Sequence, residues 1–209
     1  MYLFTRVNTM TGSRLRDGIQ FAGEITDYVN SHSDLDVSPH SFVFGRPPGT
    51  LAWSCMVENH AQMLAATDAL NGDDSYLDRT AKASELFVGS PEDSFREVLH
   101  TAGEMDGPPR YTSAVLANCN AERMADVMAW GPEMTDIVHK VSGRPSMFLG
   151  DAYGDFGGVA WLTAFDDADS IDAMRASLMA DADYLTHMAG SAGMFIPGSG
   201  HTSLVQRIG

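Results

Sequence analysis

Hydrophobic and polar residues alternate along several short stretches of this chain and recur at three- and four-residue steps along longer ones. Alternation is typical of half-buried strands, and the three-four spacing is typical of amphipathic helices. The first half therefore predicts a strand, a helix, two strands, a helical region and a final strand. Their predicted bounds are residues 3–9, 12–31, 41–45, 50–57, 58–86 and 94–100.

The second half shows the same succession of patterns. Its predicted elements span residues 111–118, 121–141, 146–149, 158–165, 166–194 and 202–208. In both halves the long helical region is expected to break in two, near Asp73 and near Asp181. The order β-α-β-β-α-β thus occurs twice.

Direct self-comparison supports a tandem duplication. Shifted by 109 positions, the segment 2–29 shares seven identities with 111–138, and shifted by 108 positions, 49–87 shares ten with 157–195. The second set includes Trp53/Trp161, Asp73/Asp181 and Tyr76/Tyr184. Self-similarity at one fixed period is the sequence signature of a repeated structural unit.

The element order βαββαβ names the ferredoxin-like unit, an antiparallel four-stranded sheet with both helices on one face. We predict an α+β protein with a first repeat at residues 1–100, a linker at 101–110 and a second repeat at 111–209. Because the helices leave one face of each apolar sheet uncovered, the two repeats are expected to pack sheet to sheet as an α+β barrel within one chain. The space between the sheets is then the expected ligand site.

The segment from Phe165 to Leu185, with its Asp181-Ala-Asp-Tyr184 break, resembles the dimeric α+β barrel superfamily, in particular the NIPSNAP-like and antibiotic-biosynthesis-monooxygenase-like families. Leu70-Asn-Gly-Asp73-Asp-Ser-Tyr76-Leu repeats the pattern more loosely in the first half. The resemblance covers nearly the whole chain as topology, but its motif is short and structural. It implies a fold, and it leaves open cofactor-free oxygenation of aromatic compounds, heme binding or degradation, and non-catalytic roles.

Candidate ligand contacts come from the third strand of each repeat. Small residues such as Ala160 and Ala164 suit close packing under helices, which would leave Trp161 and Phe165 facing the barrel interior together with Trp53. Tyr111 is expected to join them there. In the alternative interpretation both tryptophans simply fill the core.

The first strand adds polar candidates. Its aliphatic residues suit the helix side, so Arg6 and Asn8 are expected to point into the barrel. A guanidinium there could hold a ligand carboxylate through a bidentate contact. The alternative is an ion pair between Arg6 and Glu97 on the fourth strand.

His187 follows Tyr184 in the region where the heme-degrading relatives carry their iron ligand, so the resemblance implies a heme role as a third option. Those relatives also use an asparagine on strand one and a tryptophan, and Asn8 or Asn118 with Trp161 could supply them. The spacing of these residues matches poorly. No resident cofactor is therefore expected, with heme as the exception to test. The seven histidines and two cysteines show no metal-ligand spacing, so no metal site is predicted.

The net charge of the chain argues against nucleic-acid binding and against binding to anionic membranes. The 209 residues carry 28 acidic and 13 basic side chains, a net charge of −15, which would repel nucleic acids and anionic membranes. No apolar run approaches the roughly 20 residues of a membrane helix. No signal peptide is predicted at the amino terminus, and Cys55 and Cys119 form no disulfide framework, so a cytoplasmic protein is expected.

The sequence therefore predicts a barrel that binds a small, partly apolar molecule, as a cofactor-independent monooxygenase-like enzyme if it is an enzyme at all. The alternative from another class is a non-catalytic interaction protein whose barrel is a packed core. A homodimer is a further prediction. The identity of the ligand and the reaction are left open.

Overall fold

The computed structural model of the protein describes residues 1–105 and 107–208. Asp106 of the predicted linker and Gly209 of the predicted second repeat lie outside the described residues. The described chain forms two compact units. Unit 1 comprises Met1–Phe95 with the C-terminal residues from Gln206 onward, and unit 2 comprises Arg96–Val205.

Unit 1 begins with the predicted succession of elements. It contains β1 (Tyr2–Met10), α1 (Leu15–His32), β2 (Ser38–Phe44), β3 (Thr50–Val57), α2 (His60–Asn71), α3 (Asp74–Ala83) and the first part of β4 (Phe87–Ala102). Strand β4 is more than twice as long as the predicted 94–100 and continues into unit 2. Its first half was missed because Gly89 and Pro91 are typical of breaks between elements.

Unit 2 repeats the succession. It contains the end of β4, then β5 (Tyr111–Asn118), α4 (Met124–Ser142), β6 (Ser146–Tyr153), β7 (Gly158–Phe165), α5 (Ala168–Ala180), α6 (Ala182–Ala189) and most of β8 (His201–Arg207). Pro132 lies inside α4, and the helix continues through it. Helix α4 ends at Gly143, whose left-handed φ of 68° suits a residue without a side chain.

Within the described residues, hydrogen bonds join eight strands in the order β1-β3-β2-β8-β5-β7-β6-β4, which closes into a barrel. The order contains β4-β1-β3-β2 and β8-β5-β7-β6, the ferredoxin-like arrangement twice. The predicted fold class, α+β with two ferredoxin-like repeats in a barrel, is confirmed.

The two helical regions break where the sequence predicted. The Asp73 carboxylate accepts a hydrogen bond from the Ser75 amide and begins α3, and Asp181 accepts one from the Tyr184 amide and begins α6. An aspartate at this position satisfies an amide that has no partner within the helix. The repeated Asp-x-x-Tyr pattern is therefore a helix-capping signal in both units.

The strand registers match around one central tryptophan in each unit. In unit 1, Trp53 of β3 lies opposite Pro39 of β2. In unit 2, Trp161 of β7 lies opposite Phe148 of β6. The same structural position thus carries a ring stack in unit 2 and a proline in unit 1.

The faces of the strands differ from the prediction. Trp53 belongs to a buried cluster with Ala22 and Ile25 of α1, and Trp161 donates from its indole Nε1 to the Gly131 carbonyl of α4 at 3.2 Å. The tryptophan face of each sheet therefore packs under the helices of its own unit. The predicted orientation toward the barrel interior is wrong for both.

No helix in the part of the chain that the structure describes is long and apolar enough to cross a membrane.

Candidate functional site

Arg6 lies on β1 directly opposite Trp53 of β3 and shares its helix-facing side. Its Nε donates to Asp93 Oδ1 at 2.8 Å and its Nη2 donates to Asp93 Oδ2 at 2.7 Å. The bond to Asp93 raises the pKa of Arg6 above its ordinary value, and contact with Tyr76 of α3 adds to the effect. The expectation that Arg6 points into the barrel is wrong, and its carboxylate partner is Asp93 rather than the predicted alternative, Glu97.

The Arg6–Asp93 pair is half open to solvent, with 40% and 44% of the two side chains exposed. Such a pair stabilises the fold only slightly, by about 0–1 kcal/mol. A guanidinium has five N–H donors in a rigid fork, so two bonds to one carboxylate leave it able to contact a second group. Asn8 lies two residues further along β1, where its Oδ1 accepts a hydrogen bond from the Thr9 amide.

Trp53 of unit 1 carries a buried hydrogen-bond donor that lacks an acceptor among the described residues. It is 9% exposed, and its indole Nε1–H has no hydrogen-bond partner among the described residues. A buried donor without a partner costs about 1–3 kcal/mol, because the bond it made to water in the unfolded chain is lost. Native structures contain few such groups, and each marks a position where an acceptor would be favourable.

Aromatic rings surround this indole. The Phe87 ring meets Trp53 edge to face with centroids 6.0 Å apart, and Phe21 of α1 meets Phe87 at 5.9 Å. Phe4 and Tyr76, both partly buried, pack against the same cluster. The helix-facing side of unit 1 therefore combines a flat apolar wall, one unpartnered N–H and one cation.

The corresponding side of unit 2 is filled. The Phe148 ring stacks on Trp161 with centroids 4.9 Å apart, and Trp130 and Phe195 meet Trp161 edge to face at 5.6 and 5.9 Å. Gly131 makes room for Phe148, since a Cβ at position 131 would lie 2.5 Å from Phe148 Cζ. With its indole N–H also bonded to Gly131, the partly buried Trp161 packs firmly against the core of unit 2.

The other two aromatic candidates of unit 2 share the helix-facing side with Trp161. Tyr111 and Phe165 lie opposite each other in the β5–β7 register. Phe165 is 1% exposed, and the Arg110 guanidinium lies 5.3 Å from the centroid of the Tyr111 ring. The expectation that these two side chains face the barrel interior is therefore also wrong.

His187 of α6 is held tightly against α4. Its ring lies parallel to the Trp130 ring at 5.0 Å, and its Nε2 is 3.2 Å from the Trp130 carbonyl oxygen. The Trp130 Nε1 donates to the His187 carbonyl at 3.0 Å. The remaining ring nitrogen, Nδ1, is 3.9 Å from a carboxylate oxygen of Glu133.

His187 also borders a shallow groove of about 320 Å³ on unit 2. The groove lies between α4 and α6, and its lining residues are Trp130, Ile137, Asp183, Thr186, His187 and Gly190. The seven predicted site residues thus divide between two units. Arg6, Asn8 and Trp53 share one side of the unit 1 sheet, whereas Tyr111, Trp161 and Phe165 lie in unit 2 with His187.

Three residues of these sites were not predicted: Tyr76, Asp93 and Trp130. Tyr76 appeared in the sequence only as part of the helix-break pattern, and Asp93 lies in the part of β4 for which no element was predicted. Trp130 lies on the apolar stripe of a predicted helix, beside Gly131 and Pro132. An aromatic residue next to a helical glycine was the available signal for close packing.

The cysteines do not supply a nucleophile. Burial raises the pKa of the Cys55 thiol to about 11, and burial also raises the pKa of Cys119. Since the thiolate is the reactive form, both stay largely protonated near neutral pH. Among the described residues, no three His, Cys, Asp or Glu side chains are grouped so that they could hold a metal ion.

Heme ligation by His187 would require one of its ring nitrogens to give up its present environment. Nε2 is within hydrogen-bond distance of a backbone carbonyl, and Nδ1 faces Glu133. Both are acceptors, which favour ring N–H groups over a nitrogen lone pair directed at iron. The arrangement fits a packing and positioning role for this side chain better than axial ligation.

Comparison with known proteins identifies the fold. No family model and no curated protein matches the sequence. Among solved structures, a proposed monooxygenase from Fusobacterium nucleatum superimposes with a TM-score of 0.75 at 9% identity, over 100% of this chain and 92% of that chain. An anthrone oxidase-like protein gives a TM-score of 0.71 at 13% identity, over 100% of this chain and 91% of that one.

A proposed monooxygenase from Lactobacillus acidophilus gives a TM-score of 0.67 at 7% identity, over 99% of this chain and 93% of that chain. These likenesses extend over whole chains, so they include both repeats. At such low identity they show the fold alone. This fold is the one that the predicted resemblance implies.

Proposed function

We propose that the protein is a small-molecule oxygenase that works without a cofactor. Its substrate, a flat and partly apolar molecule carrying an oxygen acceptor, binds on the helix-facing side of the unit 1 sheet. The observation that carries the proposal is the buried Trp53 N–H, which has no partner among the described residues. The monooxygenase-type fold and the aromatic wall around this indole support it.

Trp53 would recognise the substrate by donating its N–H to a carbonyl or phenolate oxygen. The energy gained includes relief of the existing penalty of about 1–3 kcal/mol, because the indole is already desolvated. Phe21 and Phe87 would contact the apolar body of the substrate. Aromatic faces of this kind favour a planar, electron-rich molecule.

Arg6 would stabilise negative charge on that substrate. Oxidation of an activated methylene by dioxygen needs no external reductant, since CH₂ and O₂ give C=O and H₂O. The carbon supplies four electrons, one oxygen atom enters the product, and both methylene hydrogens leave in the water. An electron-rich enolate is the form that reacts, and a nearby guanidinium with a directed N–H lowers the free energy of such an anion.

The alternative, a non-catalytic protein, is favoured by one observation. Arg6 already forms two hydrogen bonds with Asp93, so its charge is paired without a ligand. In that case Arg6 and Asp93 join β1 to β4, and Trp53 is a core residue whose orphan N–H costs stability. Heme binding and a homodimer remain predictions.

Anthrone is the probe for the enzymatic proposal, with anthraquinone as the balanced product of the same stoichiometry. We expect anthraquinone to form faster with protein than in buffer, to carry one ¹⁸O atom under ¹⁸O₂, and to be absent under nitrogen. Mass spectrometry of the product measures all three. No acceleration over buffer would refute this substrate class.

Paired variants test the site itself. Trp53→Phe keeps an aromatic ring but removes the donor, and we expect it to lower kcat/KM about tenfold, the equivalent of one lost hydrogen bond to a charged oxygen. Trp161→Phe is the matched control, because its N–H is bonded to Gly131 in unit 2. Equal kcat/KM values for Trp53→Phe and the unchanged protein would exclude the proposed role of this N–H.

A further inference from the structure

The groove between α4 and α6 is a place where the two repeats have diverged. The repeat offsets align Ile137 with Tyr28, His187 with Arg79 and Gly190 with Lys82. At these three positions unit 2 carries the smaller side chain. The smaller side chains leave room for the groove in unit 2.

The equivalent position in unit 1 is closed. The Tyr28 ring is stacked on the His32 ring with centroids 3.9 Å apart. The Arg79 guanidinium carbon lies 4.5 Å from the centroid of the same Tyr28 ring. The Tyr28 hydroxyl donates to the Asp73 carboxylate that begins α3. A tyrosine and an arginine thus occupy in unit 1 the space that is open in unit 2.

Asp181, the counterpart of Asp73, keeps its bond to the Tyr184 amide at 2.8 Å. Ile137, which aligns with Tyr28, has no hydroxyl, so it cannot donate to Asp181 as Tyr28 donates to Asp73. Ile137 and the small accessible part of Trp130, which is 9% exposed, therefore line the groove without a tyrosine hydroxyl. The result is an apolar floor between acidic side chains.

The charges at the groove favour a cation. Asp183 lines it and is 78% exposed, with the Lys140 Nζ 3.8 Å from its Oδ2. Glu133 adds a second carboxylate beside His187. The chain as a whole carries a charge of −15, which raises the local concentration of cations and lowers that of anions.

We propose that this groove is a second binding site, separate from the proposed oxygenase site of unit 1, for a small organic cation of the arylalkylamine type. Its aromatic part would contact Ile137 and the small accessible part of Trp130, and its ammonium group would face Asp183. A volume of about 320 Å³ accommodates a molecule of this size, since small-molecule sites begin at roughly 300 Å³. The inference does not depend on the proposed function.

The test uses phenethylamine as the probe and 3-phenylpropionate as a control of similar size and opposite charge. Titration of the ¹⁵N-labelled chain is followed through the three indole N–H signals. We expect phenethylamine to shift the Trp130 signal in a saturable way while the Trp53 signal stays in place. The anion is expected to leave the Trp130 signal unchanged.

Variants that restore the unit 1 residues should close the groove. Ile137→Tyr is expected to abolish the saturable shift, Gly190→Lys to abolish it independently, and Ile137→Leu to retain it as a matched control. Asp183→Asn should weaken phenethylamine binding by about threefold to fivefold, as expected for an exposed charge contact.

The proposal is overturned if phenethylamine gives no saturable shift of Trp130, if 3-phenylpropionate binds equally well, or if the closed variants bind like the unchanged chain. The indole spectrum also shows whether each variant is folded. Should Ile137→Tyr not fold, the comparison of Gly190→Lys with Ile137→Leu decides. A shift of the Trp53 signal instead would assign amine binding to unit 1 and would likewise contradict the proposal.

Discussion

Replacing each central tryptophan by phenylalanine gives a direct measure of the unpartnered indole donor. Both substitutions, Trp53→Phe and Trp161→Phe, remove the same atoms from the same position of equivalent units. The smaller ring alone lowers the free energy of unfolding by about 1–3 kcal/mol in each case, the lower part of the range for large-to-small changes in a core. The two differ in what happens to the N–H.

Trp161→Phe also loses the hydrogen bond to the Gly131 carbonyl, worth about 0.5–1.5 kcal/mol. The carbonyl itself stays satisfied, because the Thr135 hydroxyl donates to it at 2.9 Å. Trp53→Phe instead removes a buried donor without a partner and recovers about 1–3 kcal/mol. Trp161→Phe should therefore be the more destabilising change by about 2 kcal/mol or more.

The assay is urea unfolding followed by far-ultraviolet circular dichroism, which does not depend on the fluorescence of the substituted rings. Trp53 is the more buried of the two side chains, so any inequality in the truncation cost works against the expected order. If Trp53→Phe proves at least as destabilising as Trp161→Phe, the Trp53 N–H is satisfied in solution. The reasoning behind the proposed substrate site would then be refuted.

Two further predictions concern stability. Gly131→Ala should lower the free energy of unfolding by about 1–3 kcal/mol, because the new Cβ would collide with the fully buried Phe148. Gly23→Ala should raise it by about 0.5–1 kcal/mol, because no described atom outside its own helix lies within 4 Å of the new Cβ and alanine favours a helix over glycine. Equal effects of the two substitutions in urea unfolding would contradict this prediction. Burial and the nearby Arg207 lower the pKa of His40 to about 4, so the neutral ring stabilises the fold above pH 6.5 and the benefit is lost as the pH falls from 6.5 toward 4. The loss should reach about 3 kcal/mol. His40→Gln, which can keep the bond to Ser54, should flatten the dependence in that window, and an unchanged pH profile would exclude His40 as its source.

The order and repetition of the elements could be predicted from the sequence because they depend on local signals. Periodicity identified the strands and helices, and Asp73 and Asp181 marked the helix breaks by their capping chemistry. Strand β4 was predicted too short because Gly89 and Pro91 disfavour strands, yet the seven residues 87–93 extend the strand through both of them. Pairing with neighbouring strands outweighed local preference there.

The side of the sheet on which a site lies was predicted wrongly, for a different physical reason. Alternation along β3 and β7 separates two sets of residues but does not say which set faces the helices. The prediction placed the small residues of the strand under the helices. In the structure the helices supply the small residues instead, Ala22 in α1 and Gly131 in α4, and the tryptophans fill the space opposite them. Close packing requires large against small, and either partner can provide the small side.

The two repeats differ in which of two equivalent positions is filled with side chains: the helix-facing side of the sheet, or the outer position between the helices. This difference bears on how a duplicated chain acquires new binding sites. Unit 2 fills the helix-facing side of its sheet with Trp130 and Phe148, and leaves a groove where a tyrosine closes unit 1. Unit 1 closes that outer position with Tyr28 and carries Pro39 where unit 2 has Phe148. Its central indole N–H has no acceptor among the described residues. Unit 2, whose helix-facing side is filled, can maintain the fold while unit 1 carries the unpartnered Trp53 N–H. The loss of about 1–3 kcal/mol in the free energy of unfolding then falls on one unit only. Divergence between the repeats, rather than the shared fold, is therefore where the binding chemistry of this chain should be sought.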